Sequence, residues 1–103
     1  MWAQMISVSL TPGREDDLER ISQMINDVEE PDSGLLHQLA LRDQNDPSKA
    51  HFLIVCESEE KARARESRPD RDKALGPVRA LMAEVFDGPP TFTDLDVAAL
   101  RSY

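Results

Sequence analysis

Three patterns in the 103-residue sequence predict an α+β fold. Hydrophobic residues alternate with period two near 2–10 and 91–98, and two further apolar runs stand at 35–42 and 51–57. Between them, apolar residues recur at helical spacing over about 14–29 and 71–85. The resulting order is β-α-β-β-α(α)-β, which predicts a single domain over 1–103 with a ferredoxin-like antiparallel sheet and helices on one face.

In the first strand Ile6, Val8 and Leu10 fall on one side, in phase with Trp2, and are expected to face the core. Thr11-Pro12-Gly13 closes the strand and opens a helix whose Leu18, Ile21, Ile25 and Val28 share a face. Glu15, Asp16 and Asp17 sit in its first turn, where the helix dipole favours acids. The second strand, Leu35–Arg42, follows Pro31-Asp32-Ser33-Gly34. It places Leu35, His37, Leu39 and Leu41 on one side and Leu36, Gln38, Ala40 and Arg42 on the other. Apolar residues on both sides predict that both faces are at least partly covered.

Residues 43–48 form a hairpin loop rich in turn formers, and the nearly continuous apolar run His51–Glu57 belongs in the sheet interior. Ser58 is the expected N-cap of a second helix, with Glu59 and Arg63 as an i,i+4 pair. That helix runs to about Ser67, where Arg68-Pro69 breaks it. A third, continuous helix is expected over 71–85, ended by Asp87-Gly88-Pro89-Pro90. A last strand near 91–98 alternates Thr93, Leu95 and Val97, and the C-terminal tail, 98–103, is unassigned.

Composition narrows the function classes. The net charge is −8, from 20 acidic and 12 basic residues, which excludes the basic footprint that nucleic-acid binding requires. The single cysteine, Cys56, has no intramolecular partner. The N-terminus lacks the features of a signal peptide, and no apolar run approaches the ~20 residues that span a bilayer. A cytoplasmic protein without a membrane partner is expected. With helices on one side only, the other sheet face would be bare, and a second copy of the chain is its simplest cover.

The chemistry-bearing residues are few. His37 and His51 are the only histidines, and neither has a carboxylate at metal-ligand spacing, so no metal site is expected. His37, sharing a strand face with Leu39 and Leu41, faces either a pocket or a dimer seam; it is the candidate general base, against a hydrogen-bonded interface histidine. His51 reads as solvated. Cys56 is either a thiolate activated by the helix that follows or a small buried hydrophobe. Trp2, Phe52, Cys56, Met82 and Phe86 are the candidate pocket-lining residues, against a plain core role. Arg42, Arg63 and Arg65 could bind an anion, against a solvated charged face.

Several local signatures occur in a particular order: Pro12-Gly13 followed by acids, Gly34-Leu35-Leu36, and Arg42-Asp43 with Asn45-Asp46-Pro47. Glu57-Ser58-Glu59-Glu60 and Asp87-Gly88-Pro89-Pro90 complete the set. From Trp2 to Val97 the chain resembles the antibiotic biosynthesis monooxygenase (ABM) domain family of the dimeric α/β-barrel superfamily. The resemblance implies a homodimer whose two sheets pack face to face, with a pocket in each subunit between helices and sheet. It also implies a small apolar or aromatic metabolite as ligand. The enzymatic reading is monooxygenation of a phenolic or quinol-type compound without cofactor, and the alternative is a non-catalytic dimeric domain such as a ligand sensor.

The chain departs from that pattern at two points. Lys61-Ala62-Arg63-Ala64-Arg65 carries neither the aromatic residue nor the Asn usual on the second helix of oxygenating relatives. Residues 71–85 lack the histidine of haem-degrading relatives, which disfavours haem breakdown. A third reading, an RNA-recognition module of the same element order, requires base-stacking aromatics on an exposed sheet face.

Overall fold

The computed structural model describes residues 1–103 and consists of one sheet with helices against one of its faces. Strands β1 (Trp2–Ser9), β2 (Leu35–Arg42), β3 (Lys49–Cys56) and β4 (Thr91–Asp96) are ordered β2-β3-β1-β4, with every neighbouring pair antiparallel. The helices are α1 (Asp17–Asp27), α2 (Glu59–Glu66), α3 (Pro69–Ala74) and α4 (Gly76–Val85). This is the ferredoxin-like α+β arrangement expected from the element order.

Strand alternation sorts the side chains into two faces. Val8, Leu10, Ala50 and Phe52 point to the helices and form the main core with Leu18 and Ile21 of α1 and Val78, Leu81 and Val85 of α4. Ile25, Met24, Leu75, Met82 and Phe86 pack at its edge. A second cluster of Trp2, Ile54, Cys56 and Ala62 lies under α2. The register Gln4↔Ile54, Ile6↔Phe52 and Gln38↔Ile54 keeps these residues on the helix side, while Met5↔Leu53 and Leu39↔Leu53 define the opposite, open face.

Two local features depart from the sequence reading. The expected continuous helix over 71–85 is two helices that meet at Leu75, with Pro77 in the first turn of α4. Proline has no N–H to donate, and its ring collides with the carbonyl four residues back, so the helix cannot run through. In β2 a bulge between Leu35 and His37 shifts the register, so Leu35 lies opposite Cys56 and packs into the second cluster rather than sharing the face of Leu39 and Leu41.

The helix start at Ser58 has the anticipated form: its Oγ accepts a hydrogen bond from the Lys61 N–H at 3.1 Å. Gly34 stands before β2 at φ +85°, and a Cβ there would lie 2.9 Å from Lys61 Cβ, so α2 packs directly on this glycine. No helix is long and apolar enough to cross a membrane.

Candidate functional site

Between the sheet and the helices lies a cavity of about 280 Å³. Its floor is Ile6, Phe52 and Ile54 of the central strands, and its opposite wall is Leu75, Met82 and Phe86. Phe52 and Phe86 are in tilted contact, with centroids 6.4 Å apart. The break between α3 and α4 has a consequence here, because it brings Arg71 and Leu75 on one helix and Arg79 and Met82 on the next to the same space. Phe92 of β4 also borders the cavity and is 59% exposed.

The polar side of the cavity is cationic. Arg65, Arg71 and Arg79 border it, with Glu66 as the only carboxylate in the lining. Arg65 is 5% exposed and forks onto Glu29, its Nε at 2.8 Å and Nη2 at 2.6 Å from the two carboxylate oxygens. Burial alone would raise the Glu29 pKa. Hydrogen bonding from Arg65 and Ser33 and the charges of Arg65 and Arg71 outweigh it and hold the carboxyl below its ordinary range. Arg79 pairs with Asp72 at 2.9 Å on the surface. Two glutamines complete the polar lining: Gln38 Oε1 accepts from Ser22, and Gln4 Nε2 donates to Asp94.

The residues singled out from sequence fall in three places. Phe52, Met82 and Phe86 border the cavity. Trp2 and Cys56 do not: they are buried in the cluster under α2, where the Arg63 guanidinium lies 5.0 Å from the centre of the Trp2 ring. Burial raises the Cys56 thiol pKa, so the residue is a neutral thiol at physiological pH rather than a nucleophile. His37 pairs with Val55 on the helix-free side and borders a polar groove of about 520 Å³ between α1 and β2, together with Ser22, Asn26 and Glu30. That groove is wider but open and mostly polar, so water fills it well. The more apolar cavity between sheet and helices is the better place for an organic ligand.

His51 lies on the open face too, and its Nδ1 is 2.9 Å from Ser7 Oγ. No group of three or more His, Cys, Asp and Glu side chains is placed to hold a metal ion. The reading of Arg65 as part of a solvated charged face is overturned by its burial against Glu29. Its pairing was hidden because the partner lies 36 residues away. Arg71 carried no sequence signal at all. The RNA-recognition reading fails on the orientation of Trp2 and Phe52, both buried against helices rather than exposed for stacking.

Fold and cavity together define an α+β domain with a largely apolar chamber bordered by cationic side chains. Neither models of protein families nor curated proteins match the sequence. Solved structures do match the fold. A protein from Nitrosomonas europaea titled "putative antibiotic biosynthesis monooxygenase" superposes with a TM-score of 0.74 at 14% identity, covering 96% of this chain and 100% of the other. One of the same description from Chloroflexus aurantiacus gives 0.71 at 20% identity, covering 98% and 96%. NE2512, a protein of unknown function from Nitrosomonas europaea, gives 0.73 at 18%, covering 99% and 93%. The chain therefore has the fold of structures described as antibiotic biosynthesis monooxygenases, over nearly its whole length.

Proposed function

We propose that the chain is an ABM-like protein that binds a small aromatic metabolite in the chamber bordered by Phe52, Met82 and Phe86. The observation that carries this reading is the chamber itself, a space of about 280 Å³ beside the core lined by eight hydrophobic residues and a few polar ones. Ligand pockets span roughly 300–1,000 Å³, so this one suits a ligand of one or two rings. The open sheet face, which bears Leu39, Leu41, Leu53 and Leu95, is covered by a second copy related by a two-fold axis.

Two uses of such binding differ in chemistry. In cofactor-free monooxygenation the substrate's own anion reduces oxygen, and the protein supplies a dry chamber, orientation and a base. The side chain expected as base, His37, borders the polar groove between α1 and β2 and is not part of the chamber lining. That position favours the second use, binding without turnover, as in a ligand sensor.

Binding is tested by titrating phenols, hydroquinones and neutral aromatics while following the Met82 methyl signal by NMR. Saturable shifts at Met82 are expected, and a folded protein whose Met82 signal is unmoved by every compound would overturn the reading. Oxygen uptake on the compounds that bind then separates the two uses. Turnover that survives in His37→Ala would place the chemistry in the chamber without this histidine.

A further inference from the structure

Of the three guanidinium groups that border the chamber, Arg71 is the one without a close carboxylate. Arg65 takes both oxygens of Glu29 at hydrogen-bonding distance, and Arg79 takes Asp72. Arg71 is left with Glu29 Oε1 at 3.7 Å, the same oxygen that Arg65 holds at 2.6 Å. At that distance the Arg71 guanidinium makes an ion pair but donates no hydrogen bond within the protein, and its side chain is 15% exposed. A buried guanidinium, Arg65, and a half-buried one, Arg71, thus approach the same carboxylate. Burial and the nearby charge of Arg65 lower the Arg71 pKa from its ordinary value. A guanidinium nonetheless stays protonated in proteins, so the positive charge remains.

A half-buried guanidinium with free N–H donors beside an apolar space offers an anion a charge-assisted hydrogen bond. The planar fork of a guanidinium matches the two oxygens of a carboxylate better than a single phenolic oxygen. Arg71 borders the same chamber as Phe52, Leu75 and Met82, so an anion held by it would extend an apolar body across their side chains. We propose that the ligand of this chamber is an aromatic carboxylate, its ring between Phe52 and Met82 and its carboxylate on Arg71. The proposal rests on the chamber being the ligand site and adds the chemical class of what enters it.

The probes are 2-naphthoate, the neutral 2-naphthalenemethanol and 2-naphthol, titrated calorimetrically into the full chain at neutral pH. Hydrogen bonds to a charged group predict that 2-naphthoate binds ~10- to 100-fold more tightly than the neutral alcohol. Arg71→Met removes that preference, bringing the ratio of the two affinities to about one. Arg71→Lys keeps the charge without the fork and gives an intermediate preference.

Should Arg71→Met fail to fold, Arg71→Lys and the wild-type ratio still decide. Equal affinity for naphthoate and alcohol in the wild type overturns the proposal, as does a carboxylate preference that survives in Arg71→Met. Tighter binding of 2-naphthol than of naphthoate overturns it in favour of a phenolic ligand. These outcomes leave the chamber as a binding site. If no probe binds or moves the Met82 signal, the functional reading itself fails.

Discussion

The two faces of the sheet are made by the same four strands and present opposite solutions to burial. On the helix side Trp2, Val8, Phe52 and Ile54 are each 6% exposed or less. On the other side Leu39, Leu41 and Leu95 remain between 38% and 40% exposed. A solvated face would be expected to carry charge. Charged residues make up 31% of the sequence, yet on the open face only Lys49, at one end, is charged. Ala3 and Val55 on that side are covered within the chain, so the helix-free face is largely apolar but only partly buried. Most charged residues lie instead on the helices and loops, where the ion pairs of Arg14, Lys61 and Arg68 are found.

The sharpest way to break this comparison is to charge the open face. Leu53 sits at its centre, paired with Met5 on one side and Leu39 on the other. If two copies close over each other there, Leu53→Asp places an unpaired carboxylate in the middle of an apolar contact. Such a group costs several kcal/mol, which predicts a rise of ~100-fold or more in the dimer dissociation constant. Sedimentation velocity at low micromolar concentration should show a dimer for the wild type and a folded monomer for the variant. A wild type that is monomeric under those conditions would remove the second copy as the occupant of this face.

The covered face has its own vulnerable point in Glu29. Glu29→Gln leaves Arg65 buried without its counter-ion and is expected to destabilise the fold by ~3–5 kcal/mol, measured by urea denaturation. The same pair sets a pH dependence. The folded-state pKa of Glu29 is lowered from 4.5, so its contribution is fully present above that value. It is lost as the pH falls through the lower folded-state value. Between pH 5 and 3 the wild type should therefore lose stability more steeply than Glu29→Gln, and parallel curves would show that the pair does not act this way.

The two faces were not equally legible in the sequence. Element order followed from periodicity, because strands alternate with period two and helices repeat near every 3.6 residues. The Gly76-Pro77 step carried a break signal inside an otherwise regular apolar stripe, and the stripe of Leu75, Val78, Leu81 and Met82 concealed it. The bulge at Leu35 was not visible either, since an extra residue in a strand leaves no mark on composition. The cationic side of the chamber was the least accessible feature. It depends on Arg65, Arg71 and Arg79 converging from three helices, and on one carboxylate at the end of α1 answering two of them. Such convergence is set by packing angles rather than by any local pattern.

The smallest expected effect tests whether the two faces are independent. Ser58 caps α2, which covers Trp2, Ile54 and Cys56 on the helix side and takes no part in the open face. Ser58→Ala leaves the Lys61 N–H without its partner and should lower stability by ~1 kcal/mol, whereas Ser58→Asp restores an acceptor and should cost little. Thermal denaturation at a fixed protein concentration measures both. Because the lesion lies wholly on the covered face, the dimer constant that Leu53→Asp alters should be unchanged in Ser58→Ala. A shift in that constant would mean that loosening α2 reaches through the sheet, and the division of labour between the two faces would not hold.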